Sequence, residues 1–461
     1  LGKKRRIMKS LLMTVICLFT LVTPLLAQPL PEKLDEYLTS ANRMYHFDGV
    51  ALIAQKGNFL LHKAYGVRNA ELKAPNDIAT RFPILSITKS FTSTLILMLQ
   101  EQGKLSLEDK LTNYFPDFPK GDSIRLHHLL THTSGIFDYM SLIDEEDSAI
   151  VCHPVPKQRV LDLLWNKPLA FSPGKQYSYS NSGYFLLGMI IEKITGKPYE
   201  QVIRELIIKP LGMTHSGFDF INLPAQSRAF GYDTLTANYY SPYPHFDSTV
   251  AYSAGAMYST AADLYKWGQA VAKHQLLSTD SWKQAFTPKL NNYGYGWMIG
   301  SYLNKQYVGH DGGYPGFMSI FVYYPDEDIT IILLKNSGHY GESLYPSVIA
   351  LTAILLKKPY SKWQPRTEVK VEQTVLQQYV GRYRADPKIV PDRVMSISFE
   401  QGKLFVQANN SELKVELFAE SENSFFLKEY NEQWTFRKNK KGQITQAVIH
   451  VNGIDLTANK F

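Results

Sequence analysis

Strand-like sequence stands at two places far apart in this chain, and that separation limits the fold more than any other feature. "GVALIAQKGNFLLHKAYGV", starting at Gly49, is two apolar runs split by Lys56, Gly57 and Asn58, which is a hairpin signal. "QYVGHDGGYPGFMSIFVYYPDEDITIILLKN", residues 306 to 336, gives three more strands joined by short turns, then an apolar helix near 343 to 357. From Ser86 to about residue 290 the pattern is helical and loop-rich. A sheet must bury its apolar face, so the simplest architecture joins the early and late strands in one antiparallel sheet, flanked by helices, with the helical region inserted. The predicted class is α/β of the α+β kind, with a further helix around residues 31 to 45.

A second unit is expected at the C-terminal end. "KKPYSKWQPRTEVKVEQ" reads as a linker, placed at residues 362–375. Beyond it, "YVGRYR", "VMSISFE", "KLFVQA", "LKVELFAE", "SFFLKEY", "QWTFRKN", "ITQAVIHV" and "IDLTANKF" recur at roughly 8 to 12 residue intervals with turn residues between them. Residues 376–461 are therefore expected to form a small all-β barrel or sandwich, and residues 28–361 the main domain.

The start, "LGKKRRIMKSLLMTVICLFTLVTPLLA", has a basic head, an apolar run and a small residue before polar sequence. It reads as a secretory signal peptide of residues 1–27, cleaved after Ala27, with Met8 as an alternative start. That implies a secreted or periplasmic protein, with membrane association only if the segment is retained. Its Cys17 lacks the small residues of a lipoprotein site. The chain carries a formal charge of +7, and removal of Lys3, Lys4, Arg5, Arg6 and Lys9 leaves +2. No basic stripe interleaved with aromatics remains, so no nucleic-acid partner is expected. Cys152 is then the one cysteine left, which excludes an internal disulfide and a cysteine metal cluster. It reads as an unreactive free thiol.

The chemistry begins at "FPILSITKSFTS", where Ser86 and Lys89 are expected one turn apart at the mouth of an apolar helix that Pro83 introduces and Gly103 stops. Residues three apart share a helix face, so the Lys89 ammonium reaches the Ser86 hydroxyl: a nucleophile beside a base. The spacing alone is weak, because Ser172 with Lys175 and Ser411 with Lys414 repeat it. The first of these carries Pro and Gly and must be a turn; the second lies in the β-rich tail. "YSYSNSGYFLLG" adds Tyr179 and Asn181 just ahead of an apolar helix, while Tyr302 and Asn304 repeat that spacing without the context. "VGHDGGYPGF" places His310, Gly312 and Gly313 on a strand whose free edge could hold an oxyanion; His215 and His339 also precede a glycine at the same spacing.

With these motifs in this order, residues 31 to 357 resemble the serine hydrolases that include class C β-lactamases, low-molecular-weight penicillin-binding proteins, D-amino-acid peptidases and related esterases. "LLTHTSGI" at 129, "PLGMTHSGF" at 210 and "SAGAMYSTAADLYKWG" at 253 add to the likeness. The resemblance implies an acyl-enzyme on Ser86, proton traffic shared by Lys89 and Tyr179, substrate contacts from Asn181, His310, Gly312 and Gly313, and an oxyanion held by the backbone N–H groups of Ser86 and Gly313, where glycine suits close approach. It implies no cofactor, no metal, and a small-molecule or peptide substrate: a D-amino-acid peptide, an ester or a β-lactam. For Lys89 to act as a base its pKa must fall from about 10.4 to near neutrality, which costs about 4 kcal/mol. The third motif departs from the Lys-Thr-Gly usual in β-lactamases, which favours a peptidase or esterase, with a β-lactamase or a slow-turnover penicillin-binding protein as alternatives. Asp311 beside the site disfavours binding of a substrate carboxylate there.

Among other candidates, His128 and His132 have the i, i+4 spacing of a metal pair, with His127 adjacent, but no acid completes a metalloprotease motif. Tyr252, Tyr258, Tyr293 and Tyr295 are as suited to a substrate cleft as to loop packing. Asp263 reads as part of a helix cap after Thr260.

Overall fold

The structure is a computed structural model that describes residues 28–141, 152–244, 247–338, 343–387, 392–409, 411, 413–428, 430–451 and 453–461. The apolar head with Met8 and Cys17, and His339, lie outside these residues. The early hairpin, β1 (Gly49–Gln55) and β2 (Asn58–Tyr65), joins a late set, β3 (Met298–Tyr302), β4 (Lys305–Tyr314), β5 (Phe317–Tyr324) and β6 (Ile329–Lys335). The six form one sheet in the order β2-β1-β6-β5-β4-β3, with every pairing antiparallel. The junction of the distant halves is β1 on β6, in register from Gly49 opposite Lys335 to Gln55 opposite Ile329.

Strand alternation sorts the sheet's two apolar faces. Ala51, Ile53, Ile331 and Leu333 pack against the helices α1 (Leu30–Arg43) and α5 (Tyr345–Leu355). Val50, Leu52, Ile332 and Leu334 face the larger core, with α2 (Thr88–Glu101), α3 (Asn181–Thr195) and α4 (Ala261–Ala272). Both faces are covered, so β5 and β6 are buried at every position and read as continuous apolar runs. Strand β3 is not apparent in the sequence. It joins β4 through Leu303 and Asn304, both at positive φ, a hairpin turn that a leucine does not announce.

The eight C-terminal segments become eight antiparallel strands, from Gly381–Ala385 to Ile454–Lys460. The last pairs with the first, Lys460 opposite Tyr383, so they close into a barrel. Trp434, Phe425, Phe436, Tyr379 and Tyr383 fill it. The connecting stretch docks it on the main domain: His46 stacks on Trp363 at 3.6 Å, Arg366 pairs with Glu420 at 2.9 Å, and Val369 donates a backbone hydrogen bond to Ala419. Among the described residues no helix is long and apolar enough to cross a membrane.

Candidate active site

The nucleophile segment arrives as a strand, not as a helix cap. Phe82–Pro83 pairs with Tyr258–Ser259, and Ile84 N–H donates to the Met257 carbonyl at 2.9 Å. Leu85 then turns the chain with φ +50°, a conformation costly for a branched side chain. Ser86 follows in a 3₁₀ turn, Leu85–Ile87, and α2 begins only at Thr88. The sequence reading placed Pro83 at a helix start; the left-handed residue at 85 moves that start past the serine. The spacing survives because side chains three apart eclipse in a 3₁₀ turn.

Lys89 is fully buried, and its Nζ lies 2.9 Å from Ser86 Oγ, 2.8 Å from Asn181 Oδ1 and 2.8 Å from the Ala254 carbonyl. The last two can only accept. An ammonium gives a proton to all three; a neutral amine gives two and keeps a lone pair for the Ser86 hydroxyl. Burial pushes the lysine down to about 7, opposed by the charges of Asp138 and Asp311. Tyr179 lies beside Ser86, and its ring centroid lies 4.9 Å from Lys89 Nζ. Crowding by protein raises the Tyr179 phenol well above its ordinary value, so it carries its proton at neutral pH.

Asn181 opens α3, and its side chain is held at both ends. Its Oδ1 accepts from Lys89, while its Nδ2 and backbone N–H donate to the two oxygens of Asp138 at 3.0 and 3.2 Å. Asp138 follows "THTSGIF" and was missed in the sequence; a lone acid in a loop gives no signal until the Asn181 amide is seen beside it. In the sequence His132 shows only the spacing of a metal pair with His128. Its Nδ1 accepts from Ser180 N–H at 3.1 Å, and its ring lies 4.2 Å from that of Tyr179, so it supports the tyrosine from behind. His128 Nδ1 likewise accepts a backbone N–H, from Arg125.

His310 is 1% exposed and both of its nitrogens are engaged. Nδ1 donates to the Asp311 carbonyl at 2.6 Å, which leaves Nε2 to accept from the Tyr293 hydroxyl at 2.8 Å. Burial, with Lys89 nearby, holds it down to about 3, so it is neutral. It therefore stands behind Tyr293 and does not reach into the cleft. Of the four tyrosines weighed, Tyr293 joins the site. Glycine is required for close approach at 312, not at 313. A Cβ at Gly312 would lie 2.7 Å from the Ile84 carbonyl and from Leu85 Cβ, whereas one at Gly313 would meet nothing within 4 Å. The pairing of β4 with β3 ends at Gly309, so among the described residues no strand covers the edge of β4 at Gly313. Asp311 follows on the strand with its Oδ1 3.9 Å from His310 Nδ1, and its charge acts on Lys89.

The decoys are elsewhere. Lys175 lies in an exposed turn, its N–H on the Ser172 carbonyl. Lys414 is on a barrel strand, paired with Glu400. Tyr302 ends β3 and Asn304 lies in the β3–β4 turn, and His215 is exposed. Asp263 N–H donates to Thr260 Oγ1, the helix cap the sequence indicated. Cys152 is a free, partly buried thiol that burial raises.

Residues 33–350 match the family model described as Beta-lactamase, and residues 365–460 match a domain family of unknown function (DUF3471). A penicillin-binding protein of Bacillus subtilis (strain 168) is 30% identical over 425 residues, covering 86% of this chain and 91% of its own. The D-amino acid amidase from Ochrobactrum anthropi SV3, solved with L-phenylalanine, superposes with TM-score 0.63 at 25% identity, over 71% of this chain and 98% of the amidase. A penicillin-binding protein homologue from Pyrococcus abyssi, octameric in its structure, has the same fold over 93% of this chain and 99% of its own (TM-score 0.65, 24% identity). The chain belongs to the Beta-lactamase family and is a serine hydrolase of the penicillin-binding-protein fold.

Proposed function

We propose that Ser86 forms an acyl-enzyme from a D-amino-acid peptide, amide or ester, which water then resolves. The observation that carries this is the contact between Ser86 Oγ and a fully buried Lys89 held near neutrality. The neutral amine takes the serine proton as Oγ attacks the carbonyl carbon. The protonated phenol of Tyr179, which lies beside Ser86, delivers a proton to the leaving group and is refilled from Lys89. The carbonyl oxygen gains its negative charge between the backbone N–H groups of Ser86 and Gly313. Asn181, fixed by Asp138, positions the acyl side through its remaining N–H.

The substrate class is supported by the relatives, a penicillin-binding protein and a D-amino acid amidase, and by the His310-Asp311-Gly312 sequence in place of Lys-Thr-Gly. Export to the periplasm or outside the cell is proposed from the apolar head alone. The test is intact mass over time with a penicillin, beside Ser86→Ala, together with assays on D-alanyl peptides and esters. Cleavage of D-alanyl substrates with a lasting or absent penicillin adduct supports the proposal. An adduct that forms and clears with hydrolysis of the drug makes the protein a β-lactamase, and a serine-independent result sinks the acyl-enzyme.

A further inference from the structure

Beside Leu85 and Tyr314 lie two neighbouring pockets with shared walls. The first is apolar and includes Leu85, Ala256, Phe220 and Phe317. Its walls include the chain neighbours of Ser86, of the Ala254 carbonyl that holds Lys89, and of Gly313, which sets this narrow space of about 30 Å³ next to the reacting centre. The second, about 180 Å³, shares Phe220, Pro244 and Phe317 with the first and adds Phe230 and Arg228.

Arg228 is unusual there. Its guanidinium lies against the rings of Phe230, at 4.5 Å, and Phe220, at 5.5 Å. Its Nε donates to the Leu223 carbonyl at 3.3 Å. It is half-buried, and burial alone lowers its pKa, with no carboxylate among the described residues contributing. Glu71 stands exposed on the rim of the same pocket without pairing to it. Nor is the position loose. Arg81 N–H donates to the Ser227 carbonyl and Ala229 N–H to the Arg81 carbonyl, both at 3.0 Å, which ties the backbone on either side of Arg228 to the strand leading into Ser86. A partly desolvated guanidinium, stacked and fixed but lacking an anion, suits a planar carboxylate.

We propose that this pocket is the subsite for a carboxylate at the far end of the substrate's acyl group, bound by the Nη groups of Arg228. A small acyl side chain, of methyl size, then fills the apolar pocket next to Ser86. The inference rests on the serine-hydrolase reading of Ser86.

The test compares p-nitrophenyl esters of N-succinyl- and N-glutaryl-D-alanine with the neutral N-acetyl ester, on the full chain and on Arg228→Gln. Wild type is expected to favour an anionic ester at least about tenfold in kcat/KM, and Arg228→Gln to erase that preference while leaving the acetyl ester within about twofold. Arg228→Met, which keeps a stem against the two rings, is the second variant should the first unfold. Equal rates on anionic and neutral esters in wild type, or a variant that lowers both alike, overturns the subsite and leaves Ser86 chemistry standing. If no ester is cleaved faster than by Ser86→Ala, the hydrolase reading fails on these esters, and binding decides the subsite. A rise in Tm with N-glutaryl-D-alanine that Arg228→Gln abolishes supports it; no rise refutes it.

Discussion

The turn at Ser86 and the turn at Ser172 carry the same four-residue spacing of serine and lysine and have opposite fates. Lys89 is sealed beneath the sheet, with a neutral oxygen on each side and no carboxylate in contact. Lys175 lies in water at the end of a Pro-Gly turn. A lysine becomes a base at neutral pH because loss of water outweighs the pull of the nearby carboxylates, Asp138 and Asp311. Spacing brings the two groups together; the environment decides what they do.

The largest break in that comparison should come from the nucleophiles. Ser86→Ala is expected to lower kcat on any cleaved ester at least about 10⁴-fold, with Ser172→Ala unchanged. Lys89→Met should cost about 10² to 10⁴-fold and Lys175→Met nothing, read in the same steady-state assay.

The buried lysine also sharpens the comparison through stability. Its folded pKa, about 7, lies below its unfolded value, so the unfolded chain holds the extra proton between the two. Wild type should therefore gain stability relative to Lys89→Met as pH rises from about 7 toward about 10.4, by up to about 4 kcal/mol. The destabilisation is fully present below the folded pKa. Urea midpoints of both proteins at the two ends of that window measure it, and a constant difference would remove the low pKa from the account.

The activity profile gives a smaller effect. kcat/KM should rise through about 7 as Lys89 loses its proton. Asp138 raises that pKa, so Asp138→Asn should shift the rise to lower pH. By turning the Asn181 amide it should also lower kcat about tenfold to a hundredfold. An unmoved profile would leave Asp138 a purely structural role.

The smallest test uses the neighbouring glycines. Gly312→Ala forces strand β4 off the Leu85 turn and should cost about 1 to 3 kcal/mol, while Gly313→Ala should stay within about 0.5 kcal/mol. Thermal unfolding of the two variants separates them.

Much of this was legible in the sequence. The barrel's eight segments could be read because a half-buried strand alternates and its turns need Gly, Asn or Asp. The antiparallel sheet followed from long apolar runs, and Ser86, Lys89, Tyr179 and Asn181 from their order and local context. What escaped depends on contacts distant in sequence. Asp138 and His132 matter because folding sets them against Asn181 and Tyr179. The contacts of Gly312 and His310 appear only once β4 is laid beside the Leu85 turn and Tyr293. The strained Leu85 has no signature, because nothing local asks for a left-handed leucine.

The pairing of β1 with β6 has a consequence in time. During synthesis the hairpin of β1 and β2 emerges early, yet the inner edge of β1 finds its neighbour only when the segment ending at Lys335 has been made. Until then a strand buried at six of its seven positions in the finished protein waits unpaired. Such an edge invites intermolecular pairing, and a topology this non-local folds slowly. Yield in a fast-translating host should therefore depend on whatever shields the nascent hairpin, and slower translation or cooler growth should help more than any change at the active site.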